Sequence, residues 1–194
     1  MHMVLSALMV LQGSFARTST AQPHLVWPPP QEISAVGPPI SLHPQFAATS
    51  SSTFRRLAAA LARHAKTTIG PAVAAANSSG GLLYGHDRNL LRELELVVDS
   101  PDESLGMATD YSYNLTTRAA TATSAASAQV RCASIYGCMY GLETFAQLLD
   151  TQRGAVLHSQ VDIVDVRTAN FECVSLNLSF CGNMISWPDQ SKMQ

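Results

Sequence analysis

Apolar residues recur along this chain at two spacings, and each spacing marks a different kind of element. From Phe54 they fall at Leu57, Ala58, Leu61, Ala62 and Ala65, with Arg55, Arg56 and Arg63 on the other side. That is the stripe of an amphipathic helix. The Ser/Thr cluster from Thr49 to Thr53 offers it N-caps, and Gly70-Pro71 is expected to stop it. A second stripe joins Met139, Leu142, Phe145, Ala146 and Leu149, and Gly154 is placed to end that element. Gly137 and Gly141 sit four apart, on one side of the same helix. Each costs about 1 kcal/mol of helix stability, and close approach of another backbone is the expected compensation.

The other spacing is two. Ile40-Ser41-Leu42-His43 alternates, as do Glu93–Val98, Asp110–Leu115 and Ala128–Cys132, and Val161 and Ile163 begin a last strand. Residues 71–90, rich in Ala, Ser and Gly, read as a surface loop. Asp99–Gly106 reads as a turn, and Thr117–Ser127 as a hairpin loop. Strands then a helix, short hairpins and no alternating βαβ rhythm predict an α+β fold with a mostly antiparallel sheet.

Charge narrows the function classes. Twelve Lys and Arg oppose 14 Asp and Glu, a formal net charge of -2, and no basic run offers a nucleic-acid footprint. Hydrophobic residues make up 46% and charged residues 13%, too apolar for a disordered chain. At 194 residues the chain is too short for a (β/α)₈ barrel, which takes about 250, beside anything else. Residues 1–16 read as a signal peptide: Val4–Leu11 is a short apolar run, and Ser14-Phe15-Ala16 suits cleavage. No later run is long enough to span a bilayer, so no membrane partner is expected after signal removal. Asn77, Asn114 and Asn177 each begin a glycosylation sequon. These features predict the secretory pathway, with an extracellular, lysosomal or vacuolar destination. The four cysteines, Cys132, Cys138, Cys173 and Cys181, allow three pairings, and buried thiols at Cys132 and Cys138 are equally compatible.

Candidate chemistry is thin. Asp102-Glu103 is an adjacent acid pair in a polar turn, where no burial would raise the pKa of an acid. The six histidines are scattered and form no HExxH, His86-Asp87 is a loop pair, and Gly80-Gly81 lacks the lysine of a phosphate loop. No serine sits in a G-x-S-x-G elbow. No catalytic residue, metal site or cofactor is therefore expected. Glu143 reads as a solvated helix carboxylate. Trp27 could stack on a sugar ring, but a tryptophan there more often anchors the chain end in the core.

Three blocks nevertheless look familiar. Trp27-Pro28-Pro29-Pro30-Gln31 resembles the W-P-x-P opening of eukaryotic β-N-acetylhexosaminidases, glycoside hydrolase family 20. Asp110-Tyr111-Ser112-Tyr113-Asn114-Leu115 resembles their D-E-S-Y-x-L strand, with Tyr111 replacing the usual acid. Tyr136 to Leu148, with Gly137, Gly141, Leu142, Glu143 and Phe145, resembles Y-G-A-L-R-G-L-E-T-F-S-Q-L. The resemblance runs from about Val26 to about Asp165. It implies the N-terminal accessory domain of that family, zincin-like, with two main helices packed on one face of the sheet. On this reading 17–165 is the accessory domain, and 166–194 is a divergent tail expected to be poorly ordered. The family's next block, P-R-F-x-x-R-G-L-L-x-D-T-x-R-H, opens the catalytic barrel; here Val166-Arg167-Thr168-Ala169-Asn170-Phe171 stands instead. The resemblance thus implies a chain cut before its barrel. Family members hydrolyse terminal β-linked GlcNAc or GalNAc with help from the substrate's own acetamide. A fragment without the barrel is expected to be inert. Its expected partners are a family barrel or sibling hexosaminidase subunit. The alternative is a secreted, non-enzymatic domain that binds such a subunit or a glycan.

Overall fold

The computed structural model describes residues 26–52, 54–78, 87–100, 102–106 and 108–166. The expected leader, His86, Gly80-Gly81, Cys173, Cys181, Asn177 and the tail from Arg167 lie outside them.

The strands are β1 (Glu32–Val36), β2 (Ile40–Ser50), β3 (Leu91–Val98), β4 (Tyr113–Arg118), β5 (Ser127–Cys132), β6 (Leu149–Asp150), β7 (Ala155–Val156) and β8 (Gln160–Asp165). They form one sheet in the order β1-β8-β4-β5-β3-β2-β7-β6. The helices are α1 (Arg55–His64), α2 (Gly70–Ser78) and α3 (Ile135–Gln147). The class is α+β, as expected, but the sheet is mixed. The outer neighbours pair antiparallel, whereas β2–β3 and β3–β5, at its centre, are parallel.

Alternation sets the two faces of the sheet. Leu96, Val130, Leu115 and Ile163 are register partners across four neighbouring strands and are all buried. One residue along, Glu95, Gln129, Thr116 and Asp162 form the matching row on the other face. That face carries polar pairs: Gln129 Nε2 donates to Glu95 at 2.8 Å, Arg131 meets Asp99 at 3.0 Å, and Arg118 pairs with Asp162.

The stretch between β2 and β3 departs from the sequence pattern. Gly70-Pro71 does not stop the first helix. A π-helical turn, Ala65–Ile69, follows α1, and α2 runs on to Ser78. Pro71 lacks an N–H, and its ring would clash with the carbonyl four residues back in an α ladder. The wider π turn falls just before it. The expected loop 71–90 is thus helix in its first part, with Ala72 and Ala76 buried. A parallel β2–helix–β3 crossover results, the βαβ rhythm that the pattern concealed. Nor does the Ser/Thr cluster cap α1: Phe54 is its N-cap, with no side-chain hydrogen bond.

α3 lies close on the sheet through its glycines. A Cβ on Gly137 would collide with the Ser112 carbonyl oxygen, and one on Gly141 with Val130 Cγ1 and the Tyr113 ring. Ser134 caps the helix, its Oγ accepting from Gly137 N at 3.3 Å. Tyr113 Oη and Thr144 Oγ1 share a buried 2.7 Å hydrogen bond between sheet and helix. Gly154 does not end α3, which closes at Leu148. It occupies the β6–β7 turn at φ +65°, with its Cα face against the backbone of Ala76 in α2. Cys132 and Cys138 are joined in a disulfide from the end of β5 to the first turn of α3, not buried as thiols.

Candidate functional site

On the side of α3 away from the sheet, Tyr136, Tyr140, Glu143 and Gln147 recur at helical spacing and form one stripe. The first three line a groove of about 380 Å³ with Arg63, Leu105, Tyr111 and Met139. Tyr111 meets Tyr136 and Tyr140 edge-to-face, with ring centres 6.2 and 5.8 Å apart. Tyr136 Oη donates to the Glu103 carbonyl at 2.9 Å and accepts from Arg56, whose guanidinium also lies 5.8 Å from the ring centre. One phenol therefore ties α1, α3 and the 102–106 turn together. Leu105 is 61% exposed and Tyr140 37%.

His64 lies behind the groove. It is 4% exposed, and Nε2 sits 3.1 Å from Glu143 Oε2 without the alignment of a hydrogen bond. Burial pushes its pKa below the usual 6.5, against the pull of Glu143 and with the repulsion of Arg63. The ring is therefore neutral at pH 7. The Glu143 side chain is half-exposed.

The stripe ends at a clamp. Trp27 N donates to Gln147 Oε1 at 2.7 Å, and Gln147 Nε2 donates to the Trp27 carbonyl at 2.9 Å. The indole itself is 71% exposed and does not enter the core; Val26, 2% exposed, is the anchor there. The reason is the pair of backbone bonds, which fix the chain at Trp27 without using its side chain. Pro28, next to it, is exposed as well.

The other expected sites do not gather here. Asp102 accepts from Ser104 N and Ser104 Oγ, both at 2.7 Å, and these bonds hold its carboxyl below the usual range. It is an exposed turn carboxylate beside a shallow cavity of about 270 Å³. Asn114 projects from the polar face of β4, and Asn77 is exposed in α2. Gly137, Gly141, Leu142 and Phe145 are buried and structural. Among the described residues no three potential metal ligands cluster. Sequence reasoning missed the groove: Arg63, His64, Tyr111 and Tyr140 come from separate segments, and only the Tyr136–Tyr140–Glu143 spacing hinted at it.

Residues 26–148 match the model of a family described as beta-acetyl hexosaminidase like. The chain belongs to that family. The match begins where the Trp-Pro block does and spans all three of the blocks that pointed to it. Solved structures similar to this family member include a chitobiase of Flavobacterium johnsoniae, at 19% identity and a TM-score of 0.49, over 73% of this chain and 20% of that one. Another is CpGH84B, at 12% identity and a TM-score of 0.36, over 72% of this chain and 22% of that one. The chain thus spans about a fifth of the length of these proteins. No curated protein matches it.

Proposed function

We propose that this chain is the non-catalytic accessory part of a eukaryotic-type β-N-acetylhexosaminidase and is inert alone. The reaction belongs to the whole enzyme: hydrolysis of terminal β-linked GlcNAc or GalNAc. The observation that carries the inert half is the state of Asp102. It is an exposed turn carboxylate whose two hydrogen bonds both come from Ser104, two residues on, and no burial is there to raise its pKa toward that of a general acid. Family membership over 26–148 supports the parent reaction.

The test is release of p-nitrophenol from the aryl N-acetyl-β-glucosaminide and galactosaminide by purified chain. No turnover is expected. Turnover lost on Asp102→Ala/Glu103→Ala substitution would refute the proposal; turnover indifferent to it would trace to contaminating enzyme.

The second reading, a secreted binding domain, is favoured by the exposed Trp27–Tyr140–Leu105 surface. Both readings place the protein in the secretory pathway, on to an extracellular, lysosomal or vacuolar site. The Cys132–Cys138 disulfide suits such an oxidising compartment.

A further inference from the structure

The open face of the sheet carries charges that are matched within it, as in Arg118–Asp162 and Arg131–Asp99. One place on that face breaks the pattern. Asn114 in β4 has Arg131 as its register partner in β5 and Val164 as its partner in β8. A cavity of about 260 Å³ opens beside it, lined by Asp99, Arg131, Val164, Val166 and Asn114 itself. Val164 is half-buried and Val166 is 49% exposed. The cavity thus has an apolar side, from the two valines, and a charged side, from the ion pair.

The charged side is held in place. Arg131 Nε donates to both carboxylate oxygens of Asp99, at 3.1 and 3.2 Å, and Nη2 lies 3.0 Å from one of them. Asp99 N in turn donates to the Cys132 carbonyl at 2.9 Å. A guanidinium has five N–H donors, so the other terminal nitrogen of Arg131 is left to donate to a ligand. These two sides match the two sides of an N-acetylated sugar. Its ring C–H face and acetamide methyl are apolar, while its hydroxyls and acetamide carbonyl accept hydrogen bonds. Pockets that bury a drug-sized molecule begin at about 300 Å³, so this one takes a single sugar residue.

Asn114 can supply that sugar itself. Asn114-Leu115-Thr116 is a sequon, and the Asn114 side chain is exposed. A sugar linked to it starts at the edge of the cavity. Tethering sets its effective concentration in about the millimolar range, so a contact too weak to capture a free sugar is enough. We propose that this cavity is a cradle for the first N-acetylglucosamine of a glycan on Asn114, with the apolar side of the sugar on Val164 and Val166 and its acetamide carbonyl or a hydroxyl accepting from Arg131. The glycan then leaves along the sheet toward Val166. The contact is with an exposed surface, so it orients the sugar more than it stabilises the fold. The proposal rests on the reading of the chain as a secreted protein.

Nuclear magnetic resonance of the whole chain from a eukaryotic secretory host, with isotope-labelled sugar and valine methyls, reads the contact. The first N-acetylglucosamine should show nuclear Overhauser effects to the methyl groups of Val164 and Val166. Trimming the glycan to that one residue with an endoglycosidase should leave them in place. Arg131→Ala should lower the ratio of cradled to free sugar about fivefold, the loss of one hydrogen bond. Val166→Asp should weaken the contact to Val164. Circular dichroism checks the fold, and if one variant unfolds the other reads the same cavity. An occupied Asn114 whose sugar touches neither valine, or contacts indifferent to the substitutions, overturns the proposal alone, as does a secreted chain with Asn114 bare. A chain that never enters the secretory pathway overturns it together with the reading it rests on. Valine signals that follow added N-acetylglucosamine in Asn114→Gln, while the tethered sugar makes no contact, would give the cavity to a free ligand and overturn it as well.

Discussion

Single residues decide how closely α3 approaches the sheet. Alanine favours a helix over glycine by about 1 kcal/mol, yet at Gly141 the added methyl would press on Val130 Cγ1 and lie 3.1 Å from the Tyr113 ring. Overpacking of that kind costs about 1–3 kcal/mol. Gly141→Ala should therefore destabilise by about 1–2 kcal/mol. Gly137→Ala should cost more, since its methyl meets the Ser112 carbonyl, which is backbone and cannot rotate away. Urea melts of the two variants would order them; a stabilising Gly137→Ala would contradict the packing. His64 makes a pH prediction. Its folded pKa lies below the unfolded 6.5, so the unfolded chain takes up the proton first. Stability is then full above about 6.5 and falls as pH drops from there toward the folded value. His64→Leu should flatten that part of the profile in thermal melts between pH 5 and 8. Glu143 and Arg63, the charged groups beside the ring, remain in the variant. The glycine pair was legible in the sequence, because a costly residue repeated on one side of a helix implies something close to it. His64 was not legible: its burial depends on α3, far away in the chain.

At the scale of elements, legibility followed how completely one face is buried. β5 reads cleanly because Ala128, Val130 and Cys132 are all buried while their neighbours are not. β1 was missed: only Ala35 of its five residues is buried, so edge position erased the alternation. α2 was hidden by its composition, for alanines on a short helix give no contrast between faces, and Gly-Pro reads as a stop. Trp27 misled because a large apolar residue was assumed to bury its side chain, when Gln147 holds it by the backbone. The cysteines left their pairing open, and the fold supplies what spacing could not: the end of β5 and the start of α3 lie within 5.2 Å, Cα to Cα. This loop is short, six residues in separation. Constraint of the unfolded chain by so small a loop is worth about 2 kcal/mol. Reduction, or Cys132→Ala/Cys138→Ala, should lower stability by about that much without unfolding the domain. Equal urea midpoints with and without reductant would show the bond to be absent or without effect.

Among the described residues one face of the sheet carries matched charges and the other is buried under the helices, and glycosylation should follow that division. Asn114 sits in β4 between Arg131 and Val164 on the neighbouring strands, on the face that carries the matched charges, and its side chain is exposed. A glycan there would project away from α3 and leave both the core and the Trp27–Tyr140–Leu105 stripe untouched. Strand position is not in itself a barrier, since the face is open and the Asn114 side chain is exposed on it. Asn77 is also exposed, in the last turn of α2. Its backbone is helical, however, whereas a transferase acts on an extended or turning acceptor before folding is complete, so local helix formation competes with modification. Expression in a eukaryotic secretory host, with removal of N-glycans by amidase and peptide mass analysis, should therefore find Asn114 occupied more fully than Asn77. Asn114→Gln should remove the larger part of the mobility shift while leaving the melting temperature nearly unchanged, because the substitution exchanges one exposed amide for another. An unglycosylated Asn114 in a secreted, folded chain would mean that this face is covered during biosynthesis.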